Sequence, residues 1–259
     1  AYACMGIATG DFDRNGTFDL SVTNFMKEPS NLYLQAGRGG FTDLAARYRL
    51  DALSVPYIGF GTKAMDVDRD GWLDLVVANG HVLDMRHRGE DFRMPPQRLM
   101  NHGDRFEPIP VDDDTGYWDK KYLGRAVTLT DFDRDGAIDC LIGHLDQPLA
   151  LLHNQTATTG HWVQFELIGT ACERGAIGAR VELVSESERW TQWVTAGDGY
   201  LSCDEAFIDF GMGQHPRIDR VEISWPSGNR QTIEGLQPDH RYLVVEGQSQ
   251  VDVRGTHKP

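Results

Sequence analysis

Three acidic segments of one pattern constrain this chain more than any other feature. They are Asp11-Phe12-Asp13-Arg14-Asn15-Gly16-Thr17-Phe18-Asp19, Asp66-Val67-Asp68-Arg69-Asp70-Gly71-Trp72-Leu73-Asp74 and Asp131-Phe132-Asp133-Arg134-Asp135-Gly136-Ala137-Ile138-Asp139. Crowded like charges repel one another unless a cation lies between them. The spacing suits a hard cation with oxygen ligands. Side chains at positions 1, 3 and 5 enter one hollow, a glycine at 6 allows the sharp turn, and position 7 offers its carbonyl. The expected ligands are therefore Asp11, Asp13, Asn15, Thr17 and Asp19 in the first loop. In the second they are Asp66, Asp68, Asp70, Trp72 and Asp74, and in the third Asp131, Asp133, Asp135, Ala137 and Asp139. The cofactor they imply is Ca2+, about three ions. Solvated acidic turns without metal are the competing reading. They are disfavoured because aligned carboxylates are costly without a counter-ion.

The helix–loop–helix calcium motif needs a bidentate Glu at position 12. Here position 12 is Val22, Val77 or Ile142, so that motif is excluded. Closure falls instead to position 9. Strand-like residues lie on both sides: Gly6–Thr9 and Leu20–Thr23, Thr62–Met65 and Leu75–Ala78, Ala126–Leu129 and Cys140–Gly143. Each loop reads as the link between two antiparallel strands.

The loops begin at 11, 66 and 131, intervals of 55 and 65 residues, which suggest a propeller-like array. A third strand follows each hairpin, at Asn31–Leu34, Gln97–Met100 and Pro148–Leu152. A fourth follows a Gly-containing turn in the first two repeats, around Phe41 and Phe106. Four strands make one blade. The longer second interval holds an insertion near 81–96, expected as a surface loop. Propellers close with about four to eight blades, so three leave the ring open. The missing blades are expected upstream or in a partner, since Gly6 already opens a repeat. The start Ala1-Tyr2-Ala3-Cys4-Met5 reads as a trimmed fragment or mature form.

From 161 the pattern changes to short alternating strands, with turns at Gly197-Asp198-Gly199 and Pro226-Ser227-Gly228. The expected class is all-β: a partial β-propeller of three blades over 1–156, a β-sandwich-like domain over 157–247, and a flexible tail over 248–259.

Acidic residues number 39 against 25 basic ones, a net charge of −14, which argues against a nucleic-acid partner. No run approaches the roughly 18 apolar residues of a membrane span. Four cysteines are too few for a disulfide-built scaffold. A Cys172–Cys203 bridge and two separate thiols both fit, and Cys140 belongs to a strand core.

Repeats of the form Asp-x-Asp-x-Asp-Gly-x-x-Asp between short strands resemble the FG-GAP, or VCBS, repeats of integrin-type propellers. Further segments are similar to the cartilage acidic protein family and its bacterial relatives: Asn79-Gly80-His81-Val82 and Gly124-Arg125-Ala126. Four more resemble its ASPIC/UnbV domain: Gly169-Thr170 with Gly175–Val181, Gly197–Ser202, Phe210–Gly213 and Trp225–Gly228. The resemblance implies a secreted or surface-exposed calcium-binding propeller followed by a β-rich ASPIC/UnbV module. Cys172-Glu173 and Cys203 depart from the family pattern, and Asn15 lowers the charge of the first loop.

Other candidates are weaker. His81, His87 and His102 match no compact zinc spacing. Asp112-Asp113-Asp114 reads as a solvated loop, a further cation site or half of a glycosidase pair. Phe92, Tyr117, Trp118 and Tyr122 read as blade packing or as a sugar or peptide platform. Asn154-Gln155-Thr156 fits a glycosylation acceptor. No Ser-His-Asp elbow, phosphate loop or dinucleotide fingerprint is present. The expected function is a calcium-stabilised adhesion or binding module, extracellular, on the cell surface or periplasmic, with a protein or glycan ligand. The alternative is a polysaccharide-acting enzyme or enzyme subunit using the face around 81–118.

Overall fold

Each acidic loop is the turn of an antiparallel hairpin. β1 (Cys4–Gly10) pairs with β2 (Asp19–Asn24), β5 (Gly59–Met65) with β6 (Asp74–Asn79), and β9 (Gly124–Thr130) with β10 (Asp139–His144). The computed structural model describes residues 3–37, 39–110, 115–156 and 160–256. β3 (Asn31–Gln35) and β4 (Phe41–Asp43) complete the first sheet. β7 (Gln97–Asn101) and β8 (Phe106–Pro108) complete the second. β11 (Ala150–Leu152) completes the third, which has three described strands. The position-12 residues Val22, Val77 and Ile142 are buried in their strands at 6 %, 6 % and 1 % exposure.

The first strands of these sheets lie side by side because glycine removes the obstacle. A Cβ on Gly6 of β1 would stand 2.1 Å from the Phe60 carbonyl oxygen of β5. One on Gly61 of β5 would stand 2.5 Å from the Arg125 carbonyl oxygen of β9. Apolar clusters fill the wedges between sheets. Ala8, Leu32, Leu75 and Leu99 lie in one, and Met65, Val76, Val127 and Ile142 in the next.

Residues 161–256 supply two further sheets with interleaved strands. One has the order β15 (Ile208–Gly213), β12 (His161–Ile168), β18 (His240–Val245), β19 (Asp252–Thr256). The other runs β14 (Glu188–Trp193), β13 (Arg180–Ser185), β16 (Arg220–Ser224), β17 (Arg230–Ile233). Val163, Phe165, Val181, Leu183, Phe210 and Tyr242 form their shared core.

The architecture is thus one continuous all-β array of five sheets, a five-bladed β-propeller spanning nearly the whole chain. This corrects the expected three-blade partial propeller followed by a β-sandwich-like domain. It also corrects the expectation that the completing blades lie upstream or in a partner, because residues 161–256 supply them. The segment around 197–205 runs against the first strands of the earlier sheets. Ile7 N donates to the Gly199 carbonyl (3.2 Å), Ser202 Oγ to the Val127 carbonyl (2.6 Å) and Leu129 N to Asp204 Oδ1 (2.8 Å). Alternation of apolar residues defines a strand but not the sheet it joins, which is why the sequence suggests an independent module. The stretch read as a flexible tail contains β19, paired with β18.

The insertion after β6 holds a short 3-10 turn, Arg86–Arg88, and a helix over Leu50–Ser54 precedes β5. Among the described residues no helix is long and apolar enough to cross a membrane.

Candidate metal centres

In all three loops the backbone turns at position 4 and position 6. Arg14, Arg69 and Arg134 take φ of 55°, 60° and 63°, and Gly16, Gly71 and Gly136 take 80°, 91° and 84°. This brings the N–H groups of positions 5 and 6 onto the first carboxylate. Asn15 N and Gly16 N donate to the Asp11 oxygens at 2.9 and 2.8 Å. Asp70 N and Gly71 N donate to Asp66 at 3.1 and 2.8 Å, and Gly136 N to Asp131 at 3.1 Å.

Position 9 closes each loop. Asp19, Asp74 and Asp139 are fully buried and accept from position 2, namely Phe12 N (2.9 Å), Val67 N (3.0 Å) and Phe132 N (3.2 Å). Their other oxygens accept from Gln35 N (2.8 Å), Asn101 N (2.7 Å) and Asn154 N (2.7 Å). Two of these partners bridge to the preceding loop. Asn101 Nδ2 donates to the Phe12 carbonyl (2.9 Å) and Asn154 Nδ2 to the Val67 carbonyl (3.0 Å). The loops are therefore joined in series.

Carboxylate oxygens converge in every loop. Asp11, Asp13 and Asp19 form one group, Asp66, Asp68 and Asp70 a second, and Asp131, Asp133 and Asp139 a third, each with ligand atoms within 4.8 Å of one another. Asp133 and Asp135 also meet His153. Asp74, which like Asp19 and Asp139 accepts backbone N–H groups on both oxygens, is outside the second group. Asn15 Oδ1 accepts from Thr17 N (2.8 Å), so the position-5 amide also braces the turn. Trp72 N and Ala137 N make the same bond to Asp70 and Asp135, at 2.8 and 2.7 Å.

Burial makes these carboxylates costly to charge. Desolvation, reinforced by neighbouring aspartates, pushes Asp11 up to about 7 and Asp19 up to about 6. Asp70 rises to about 6, and Asp66 and Asp74 rise well above the ordinary carboxylate range. Asp131 and Asp139 are raised too, again mainly by burial. Asp131 also keeps Oδ1 buried without a hydrogen-bond partner. Acceptor-rich groups whose charge needs compensation fit a hard cation. The donor set is thus capable of coordinating a metal ion.

The position-4 arginines carry no signal in the sequence, yet they dock the loops onto the last two sheets and the 197–205 segment. Arg14 pairs with Glu188 and lies over the Trp72 and Trp190 rings at 5.1 and 4.8 Å. Arg69 lies 5.8 Å from the Trp162 ring centre, and Arg134 Nη1 donates to Glu205 Oε1 (2.6 Å). His153, with Nε2 3.1 Å from Asp133 Oδ2, is equally invisible to spacing, because it arrives from β11's end.

Among the described residues, His81, His87 and His102 join no metal-capable group. His81 is buried, accepts from Leu83 N through Nδ1 (2.9 Å) and lies 3.5 Å from Glu90. Tyr117 and Tyr122 stack at 4.7 Å and pack with Trp118 in the third sheet's core, while Phe92 is half-buried in the insertion. Asn154 is occupied by its structural bonds. Cys172 and Cys203 are both free thiols, and Cys140 is buried as expected. Asp112, Asp113 and Asp114 lie outside the described residues.

The sequence is similar to several known proteins. Residues 169–251 match the family described as ASPIC and UnbV. Cartilage acidic protein 1 of Xenopus tropicalis is 29 % identical over 241 residues, covering 89 % of this chain and 35 % of its own length. The Homo sapiens protein of the same name is 27 % identical over 241 residues, covering 86 % and 33 %. Integrin alpha-5 of Xenopus laevis is 27 % identical over 145 residues, covering 55 % and 14 %. The chain spans about a third of the length of the cartilage acidic proteins it matches. It is a distant relative of the ASPIC/UnbV and cartilage-acidic-protein family.

Proposed function

We propose that the chain is a calcium-stapled binding module of an extracellular, cell-surface or periplasmic protein, and that its partner is a protein or a glycan. The observation that carries this reading is the threefold convergence of aspartate oxygens at the hairpin turns. Calcium is structural here: about three ions, one per loop, offset the repulsion of carboxylates that burial has already made costly to charge. Asn15 in place of Asp makes the first site the weakest of the three. The similarity to cartilage acidic protein 1 and to an integrin supports a role outside the cytoplasm. The role is non-catalytic in this reading, since His81 is buried and its partners hold a loop in place. Calorimetry with and without EGTA tests it: the melting temperature should fall on chelation and recover with added Ca2+, and an unchanged melting temperature would overturn it.

A further inference from the structure

We infer that the cleft between the third acidic loop and the β15-β12-β18-β19 sheet binds an acidic saccharide, holding its carboxylate on Arg241 and Arg254 and a hydroxyl on Gln164. The cleft encloses about 380 Å³ and is lined by these three residues with Asp131, Arg134, Trp162 and Glu166. Strand register sets out its floor. Asp209 of β15, Gln164 of β12 and Arg241 of β18 are direct neighbours across the sheet, on the face opposite the apolar row of Ile208, Phe165 and Tyr242.

Gln164 is 0 % exposed and Arg241 7 % exposed. Gln164 Nε2 donates to Asp131 Oδ2 (3.2 Å), but Gln164 Oε1 is a buried acceptor without a partner among the described residues. Arg241 Nη2 donates to Glu205 Oε1 (2.9 Å), while its Nη1 is a buried donor without a partner among the described residues. Buried polar groups left unpaired are costly, and such groups mark a place where something else completes the bonds.

The mixture decides the ligand class. A cation would satisfy Gln164 Oε1 and repel Arg241. A simple anion would satisfy Arg241 and leave Gln164 Oε1 without a donor. An apolar group would satisfy neither. A ring bearing a carboxylate beside several hydroxyls offers an acceptor to the guanidinium and a donor to the amide oxygen. Arg254, exposed on the edge strand β19, makes no hydrogen bond or ion pair with another described residue and supplies a second guanidinium. Arg134 is already bonded to Glu205. Glu166 repels a carboxylate from its own side and so sets the ring's orientation.

This inference rests on the binding-module reading and narrows its ligand, and its test is independent of the calcium test. The full chain is titrated by calorimetry with digalacturonate, with a neutral galactose disaccharide and with acetate, each in Ca2+ and in EGTA. Digalacturonate should saturate at one site, about tenfold or more tighter than either control. Arg254→Glu, at an exposed edge, should weaken it about tenfold with an unchanged melting temperature, and Gln164→Leu should weaken it as well. A requirement for Ca2+ would support the cleft as long as Arg254→Glu still abolishes the gain, because the third acidic loop forms one wall of it. Absence of saturation would mean a cleft filled by water only. That result, equal binding of acetate or the neutral sugar, or indifference to Arg254→Glu, would overturn the proposal whether or not Ca2+ binds the loops.

Discussion

Lys63 Nζ lies 2.6 Å from Asp204 Oδ2 although 141 residues separate them in the chain. The same ammonium meets the Asp198 carboxylate, and the Lys63 side chain is 1 % exposed. Thr9 N also donates to Asp198 (3.1 Å), so the pair anchors the 197–205 segment to the first two sheets at once. Burial pulls the Lys63 pKa down, but the Asp198 and Asp204 charges outweigh it and leave it raised.

Breaking this buried triad should be costly, because it strands two carboxylates without their cation. Lys63→Met is expected to lower unfolding free energy by about 3–5 kcal/mol in urea titration. The triple variant Lys63→Met, Asp198→Asn, Asp204→Asn should recover much of that loss. Equal losses in both proteins would show that packing, not charge, holds the segment.

The acidic loops should give the chelated protein an unusual pH response. Their folded pKa values are raised, to about 7 for Asp11 and about 6 for Asp19 and Asp70. Each group's contribution is therefore fully present below the unfolded carboxylate pKa and is lost as pH rises through 6 to 7. In EGTA the melting temperature should rise when pH falls from neutrality toward 5. In Ca2+ the order should reverse, because protons compete with the metal for the same oxygens.

Positions 9 and 3 should separate in their metal dependence. Asp74 is fully buried and braces two backbone N–H groups without any ion. Asp74→Ala should cost roughly 2–4 kcal/mol in EGTA as well as in Ca2+, since two buried donors lose their acceptor. Asp68 is half-buried, so Asp68→Ala should destabilise the protein in Ca2+ and change little in EGTA. Chemical denaturation of both variants in both buffers checks this.

Gly211 marks where β15 meets the second loop. A Cβ there would stand 1.8 Å from Asp66 Oδ2 and 2.8 Å from Arg69 Cα. Gly211→Ala should cost about 3 kcal/mol or more through overpacking. Gly228→Ala is the control, with a φ of +91° but nothing within 4 Å, and should cost only ~1 kcal/mol of backbone strain. Thermal denaturation ranks the two.

Thiol chemistry checks the cysteine assignment. Burial pushes the Cys140 thiol up to about 12, so it should react with a thiol reagent only after unfolding. Cys4 and Cys203 are exposed and should react in the native state. Dithiothreitol should leave the melting temperature unchanged, because Cys140, Cys172 and Cys203 are free thiols.

The features legible in the residues alone are local. An alternate-residue run of carboxylates with Gly at position 6 dictates a tight acidic turn. An apolar β-branched residue at position 12 dictates a strand rather than a helix. Both follow from neighbours within about a dozen residues, where chain connectivity already brings the groups together. Tertiary structure decided the rest. Val163 and Val181 show the same alternation, yet one joins the sheet of β18 and the other that of β14. Asp74 reads as a ligand in sequence, and only the fold brings the Asn101 N–H of β7 onto its carboxylate. Arg14 carries no signal in the sequence, and only the fold brings it to Glu188, 174 residues later. Burial and partner choice depend on surfaces contributed by distant segments, and periodicity carries no information about which distant surface a strand will meet.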